Sequence, residues 1–197
     1  MISADQPNAK FAVFLPRQKD VEYSVKDHPN GFYLTWKDAE NKNQKVYQLP
    51  KTGYQDRANW KEIVAHDPKA KIEGIDVFEK YMVITKRING LLEMNVRELA
   101  TGTTKTINFP EPVYTAYPNG TPDFNATKFR YSYTSLNRPT TTYDYDMVTN
   151  QSTKLKEREV PSGFTPDEYE VKRLWATAKD GVKVPMAIVY KKGMSLD

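Results

Sequence analysis

Cysteine is absent from the 197 residues. That removes disulfide staples, thiolate metal sites and a sulfur nucleophile. It is compatible with a reducing cytoplasm, and a cytoplasmic location is the expectation. Histidine is scarce too, represented by His28 and His66 alone. Two distant imidazoles without a thiolate leave a transition metal short of ligands. The sequence contains no Gly-x-Ser-x-Gly, so it encodes no nucleophile elbow. Its nine glycines stand singly at turns, not in a phosphate-cradling run. No apolar stretch approaches the roughly 18 residues of a membrane span. The opening MISADQP lacks the basic-then-apolar order of a signal peptide. No catalytic residue, metal site or cofactor is expected in this chain, and no membrane partner.

Charge of one sign is also not concentrated anywhere. The formal net charge is +4, with acids and bases interleaved. The densest cluster, KLKERE at residues 154–159, carries its own acids. A nucleic-acid binder would gather Lys and Arg on one stripe. This cluster reads as a solvated face, and nucleic acid is excluded as a partner.

What the chain does have is aromatic residues, 13 Tyr, 8 Phe and 3 Trp, which suit short half-buried strands. They fall in a repeat. FYLTW at 32–36 returns in character as YMVIT at 81–85 and FRYSY at 129–133, with starts 49 and then 48 residues apart. A second marker keeps that register: Thr52 with Gly53, Thr101 with Gly102, Thr149 with Asn150. Each follows a strand-like segment, at 46–49, 94–99 and 142–147. Self-similarity of this period, built only of short strands, marks β-propeller blades. Three blades are visible where a ring needs about four to eight. The chain is therefore expected to be part of a larger protein.

The expected class is all-β: about three four-stranded blades followed by a β-hairpin. Residues 10–16 (KFAVFLP) read as one strand, the outer edge of a preceding blade. The complete blades lie near 20–67, 72–110 and 113–161. Their second strands read as apolar or aromatic on both faces, as blades packed from both sides require, whereas a sheet with one wet face alternates. A β-sandwich is the competing architecture, and the constant register argues against it. After PSGFTP at 161–166 the texture changes. Strand-like runs at 173–178 and 183–190 flank Asp180 and Gly181, a strong hairpin signal. Pro185 suggests an edge strand there. This hairpin lies outside the repeat and looks like the opening of another domain, which divides the chain at 1–165 and 166–197.

Candidate chemistry is thin. His28 precedes Pro29 in an apparent turn and His66 follows a strand; both read as ordinary imidazoles rather than general bases. Asp144 and Asp146 share one face of a strand. Paired carboxylates serve glycoside hydrolysis, yet such a pair is more often a solvated face or a turn anchor. Asn119, Asn125 and Asn150 open glycosylation-type triplets that Asn/Ser/Thr-rich loops produce by chance.

One long run, FRYSYTSLNRPTTTYDYDM at 129–147, resembles the last propeller blade of the prolyl oligopeptidase family, and within it the oligopeptidase B (protease II) branch. EVPSGF at 159–164, Tyr169 and RLWATAKDGVKVPM at 173–186 resemble that branch's passage from propeller to catalytic domain. Glu22 and Tyr23 with His28, RINGL at 87–91 and FPEPVYTA at 109–116 also match, in the expected order. The resemblance implies a seven-bladed propeller capping an α/β-hydrolase domain with a Ser/Asp/His triad. It implies cleavage of short peptides after Lys or Arg, and a propeller that excludes large folded substrates. Triad, oxyanion donors and basic-residue pocket would then lie beyond Asp197, and the hairpin around Asp180 and Gly181 would begin the hydrolase fold.

The reading that follows is a substrate-gating propeller fragment whose partners are the rest of the parent peptidase and, in the parent, peptide substrates. The innermost strand of each blade would line the channel, at residues 23–26, 73–76 and 114–116, although packing explains these positions equally well. A stand-alone β-repeat module that binds peptides or proteins is the alternative. A glycan-active propeller is a weaker third, resting on Asp144, Asp146 and the aromatics. Three blades cannot close a ring, so self-association through bare faces is also expected.

Overall fold

The computed structural model describes residues 1–2, 5–161 and 163–195. The chain forms two compact units, Met1–Pro68 and Lys69–Asp197. The first holds one antiparallel sheet in the order β1 (Glu22–His28), β2 (Gly31–Lys37), β3 (Lys45–Leu49), β4 (Lys61–Val64). β2 is buried from Gly31 to Trp36 on both faces. Phe32, Leu34, Trp36 and Leu49 make its core with Phe14 and Leu15 of the leading segment. Phe14 stacks on Tyr54 with ring centroids 4.4 Å apart and meets Phe32 edge-on at 5.0 Å.

Residues 10–16 do not form the expected strand. Phe11 and Val13 stay exposed while Phe14 and Leu15 turn into the core. Among the described residues no strand runs alongside that could complete a backbone ladder. Two buried side chains, the Tyr23 hydroxyl and an isolated backbone pairing of Ala12 with Met1 hold the segment instead. That hydroxyl donates to the Leu15 carbonyl at 3.0 Å and accepts from its N–H at 3.3 Å.

The second unit carries two more meanders. One is β5 (Ala70–Val77), β6 (Tyr81–Ile88), β7 (Leu91–Glu98) and β8 (Thr104–Thr106). The other is β9 (Tyr114–Pro118), β10 (Lys128–Ser135), β11 (Arg138–Asp146) and β12 (Gln151–Glu157). The two sheets share one core. Phe78, Val83, Met94, Val96 and Ile107 of the first interleave with Ala116, Phe129, Tyr131, Tyr133, Tyr145 and Met147 of the second. Face-to-face packing of successive four-stranded meanders is propeller architecture. The hairpin β13 (Tyr169–Thr177) and β14 (Lys183–Lys191) follows as a separate two-stranded sheet, with Trp175 opposite Pro185.

The repeated Thr-Gly marker has a backbone cause. Gly53, Gly102 and Asn150 all sit at left-handed φ, +71°, +76° and +61°. Each turns the chain between the third and fourth strands of its sheet. The Gly102 N–H reaches back to the Glu98 carbonyl at 2.9 Å, and Asn150 to Asp146 at 2.8 Å. Asparagine in the third copy fits, being among the few residues with a side chain that tolerate this region.

The third sheet departs from the two-sided apolarity read from the sequence. Lys128 and Arg130 on β10 are exposed while Phe129 and Tyr131 are buried. One face joins the shared core. The other carries Arg130 and Asp144 in a paired contact, because β11 sets Asp144 opposite Arg130.

Candidate functional site

Two regions hold the groups a function could use: the first strands of the sheets, and the joint leading to the hairpin. On the first strands, β1, β5 and β9, the channel candidates split. Tyr23 and Val25 pack against the core of the first sheet, leaving Ser24 and Lys26 exposed. On β5 a register shift between Ile72 and Gly74 pushes Glu73 outward. Glu73 binds Lys71 at 2.9 Å and Arg87 at 2.7 Å, and these two cations hold its carboxyl below the usual range. Ile75 is buried and Asp76 half-buried. On β9, Tyr114 lies against Phe109 at 4.6 Å and Ala116 is buried, so only Thr115 of that trio faces solvent. Of these positions Lys26 and Thr115 face solvent, while Ser24 is bonded to the Thr35 hydroxyl at 2.8 Å and Glu73 is committed to its two cations; packing accounts for most of the rest.

The catalytic candidates are engaged otherwise. His28 is 2% exposed, accepts the Asn30 N–H at Nδ1 over 3.0 Å, and meets Tyr33 edge-on. It is the internal cap of the β1–β2 turn. His66 stands half-buried just past β4. The Asp144 carboxylate is held below the ordinary range by Arg130. Asp146 is lowered too, chiefly by the Thr149 N–H, and accepts from both Val148 and Thr149 at 2.9 Å. General acid work needs a raised carboxyl pKa. Both carboxyls of this pair are lowered and engaged, Asp144 by Arg130 and Asp146 by the turn it caps, which argues against the glycan-active reading. Among the described residues no cluster of three or more His, Asp or Glu is arranged to hold a metal ion. Among the same residues no helix is long and apolar enough to cross a membrane.

The joint contains contacts that the sequence reading did not find. Arg138 opens β11. Its Nε donates to Glu111 Oε1 and its Nη2 to Asp167 Oδ1, both at 2.8 Å. Glu111 comes from the β8–β9 connection and Asp167 from the short 3-10 turn Pro166–Glu168 before β13. The Glu111 side chain is only 9% exposed, and its Oε2 is buried without a hydrogen-bond partner. Arg138 is thus the counter-charge of a buried carboxylate. On β13, the Arg173 guanidinium donates to the Asn89 carbonyl in the β6–β7 turn and lies 4.8 Å from the Trp175 ring centroid. Burial raises the Tyr114 hydroxyl pKa, Glu93 adds to that and Arg173 opposes it. Arg138, Arg173, Glu111 and Asn89 each stand inside a motif quoted above, but nothing local distinguishes a bridging arginine from a solvated one.

Repeated four-stranded meanders sharing an inter-sheet core define a β-propeller chain. Residues 1–158 match the family model described as prolyl oligopeptidase, N-terminal beta-propeller domain. The chain belongs to the prolyl oligopeptidase family. It is 33% identical over 189 residues to dipeptidyl aminopeptidase BI of Pseudoxanthomonas mexicana, covering 95% of this chain and 26% of that protein. Protease 2 of Moraxella lacunata is 25% identical over 193 residues, covering 98% and 27%. Among solved structures, oligopeptidase B from Trypanosoma brucei, in its closed form with covalently bound antipain, superposes with a TM-score of 0.82 at 30% identity. That match covers 92% of this chain and 26% of that one. Oligopeptidase B from Leishmania major gives 0.81 at 27% identity, covering 91% and 26%. The chain spans about a quarter of the length of the curated relatives it matches.

Proposed function

We propose that this chain is the access-controlling propeller portion of a serine oligopeptidase of the oligopeptidase B type, acting in the cytoplasm on short peptides. The observation that carries the reading is the family match over residues 1–158, joined to a hairpin outside the blade repeat. The hairpin carries large apolar side chains on both faces, beside Arg173 on one and the Lys172–Glu170 pair on the other. Val171, Trp175, Pro185 and Val189 lie on one side, and Leu174, Met186 and Ile188 on the other. A strand pair of this kind belongs inside a larger sheet covered by helices, as the first strands of a hydrolase domain would be. The division at 1–165 and 166–197 follows from that, with about three blades of a seven-bladed ring in the first part. Catalytic residues belong to the remainder of the peptidase. The ring confines a peptide by size and supplies no proton-transfer group.

The two groups of relatives suggest different substrates. Oligopeptidase B likeness points to internal cleavage after Lys or Arg, while the name of the 33%-identical relative points to removal of N-terminal dipeptides. The test extends the reading frame past Asp197 and assays the product on Arg-terminated reporter peptides with free and with blocked N-termini. Cleavage of the blocked peptide, with a folded protein left intact, is the expected result. Cleavage restricted to free N-termini would move the protein to the dipeptidyl class. A stop codon directly after Asp197 would sink the peptidase reading and leave a stand-alone binding module.

A further inference from the structure

We propose that Arg138 and Arg173 form a two-point brace that seats the β13–β14 hairpin on the second and third sheets, one point sensitive to salt and the other much less so. This rests on the reading that the hairpin opens the catalytic region, because the brace would then fix the angle at which the propeller meets that region.

The joint itself offers little stiffness. Between Glu157, where β12 ends, and the 3-10 turn at Pro166, no helix or strand is formed among the described residues. One backbone bond ties this stretch to the third sheet, Arg158 to the Thr140 carbonyl at 2.9 Å; that of Gly163 to the Val160 carbonyl at 3.1 Å is internal to it, and just beyond it Asn137 Nδ2 donates a long 3.5 Å bond to the Pro166 carbonyl. The 3-10 turn, by contrast, moves with the hairpin. The Glu168 carbonyl accepts the Lys192 N–H at 2.8 Å and its carboxylate pairs with Lys191 at 3.3 Å. Whatever holds Asp167 therefore holds the hairpin.

Arg138 holds it from a fixed position. Leaving Glu111 would strand a buried carboxylate without a counter-charge, a strongly unfavourable state. Its Glu111 arm therefore stays made. The Asp167 arm is different, since that side chain is 78% exposed and its attraction is screened by salt. The second point is Arg173 on the Asn89 carbonyl. Asn89 and Gly90 take left-handed φ of +51° and +84° in the tight β6–β7 turn. Arg87 Nη1 fixes the same turn through the Gly90 carbonyl at 3.2 Å. The acceptor here is neutral, so this arm depends less on ionic strength.

The chain has no cysteine, so Lys80→Cys on the second sheet and Lys179→Cys at the hairpin tip take spin labels without background. Pulsed dipolar spectroscopy then reads how firmly the hairpin is seated. Asp167→Asn combined with Arg173→Gln is expected to widen the label-distance distribution about twofold, each single change doing so in part. Raising NaCl to about 0.5 M, where the screening length is only a few ångströms, is expected to widen the distribution of the otherwise native chain and add little to Asp167→Asn. Both substituted residues sit at solvent-accessible positions, so the blades stay folded. Arg138→Gln is avoided because it bares Glu111. A double variant as narrow as the native chain, with unchanged circular dichroism, overturns the brace. The readout records seating and not hydrolysis, so it stands or falls separately from the peptidase reading.

Discussion

Arg130 meets Asp144 side-on across β10 and β11, Nε to Oδ1 at 2.8 Å and Nη2 to Oδ2 at 3.0 Å. Two parallel bonds of this kind fix orientation as well as charge. They make this carboxylate half of a structural pair on the polar face of the third sheet.

Acid sensitivity follows from this pair and from Glu73. Both carboxyls are lowered by cations in the folded chain. Their stabilising contribution is therefore complete above the unfolded values of about 4 and is lost as pH falls through the lower folded values. Urea midpoints measured from pH 5 down to pH 2 should fall. The Asp144→Asn, Glu73→Gln double variant should start lower and fall less steeply. Parallel curves for the two proteins would contradict the assignment.

The core shared by the second and third sheets makes a sharper demand. Phe129 is 0% exposed and packs edge-on to Phe78 at 6.4 Å. Phe129→Ala should cost about 3–5 kcal/mol, the range for emptying an aromatic site. Chemical denaturation provides the measurement, and hydrogen exchange should show protection falling in β6 and β7 as well as β10. Loss confined to β10 would mean the sheets do not depend on each other.

Glycine is required at position 31 for a steric reason that most turn glycines lack. Its φ is +138°, and a Cβ there would lie 2.2 Å from the Leu49 carbonyl oxygen. Gly120 has φ of +72° with nothing within 4 Å. Gly120→Ala should cost about 1–2 kcal/mol for the left-handed backbone alone. Gly31→Ala should cost a further 1–3 kcal/mol or so for the clash. Equal thermal shifts in the two variants would show that β2 and β3 separate freely there.

Self-association is expected through the hairpin, where Trp175 is 47%, Met186 44% and Leu174 42% exposed on a two-stranded sheet. Apolar strand faces of this kind attract further copies. Light scattering across a concentration series should show dimers or larger species, and Leu174→Lys with Met186→Lys should shift them toward monomer. A native chain that stays monomeric at high concentration would remove the expectation.

Much of the blade architecture was legible because its causes are local. The recurring aromatic strand segments and the left-handed residue at 53, 102 and 150 are set by neighbours a few positions away. The misreadings have non-local causes. Residues 10–16 carry strand-like side chains, but a strand also needs a backbone partner. The sequence of β10 reads as two-sided, yet its outer face is polar because Asp144, 14 positions on, lies opposite Arg130. The joint was invisible for the same reason. Arg138 reaches Glu111 and Asp167 over separations of 27 and 29 residues, and Arg173 reaches Asn89 over 84.

The sequence by itself determined the all-β class, the period of the sheets, the turn residues and the resemblance to a family, since periodicity and backbone preference act over a few residues. Only the tertiary structure decided which charges are spent on one another: Asp144 on Arg130, Glu73 on Lys71 and Arg87, Glu111 on Arg138. Ion pairing depends on distance in space, and that distance exists only once the meanders have folded back and stacked.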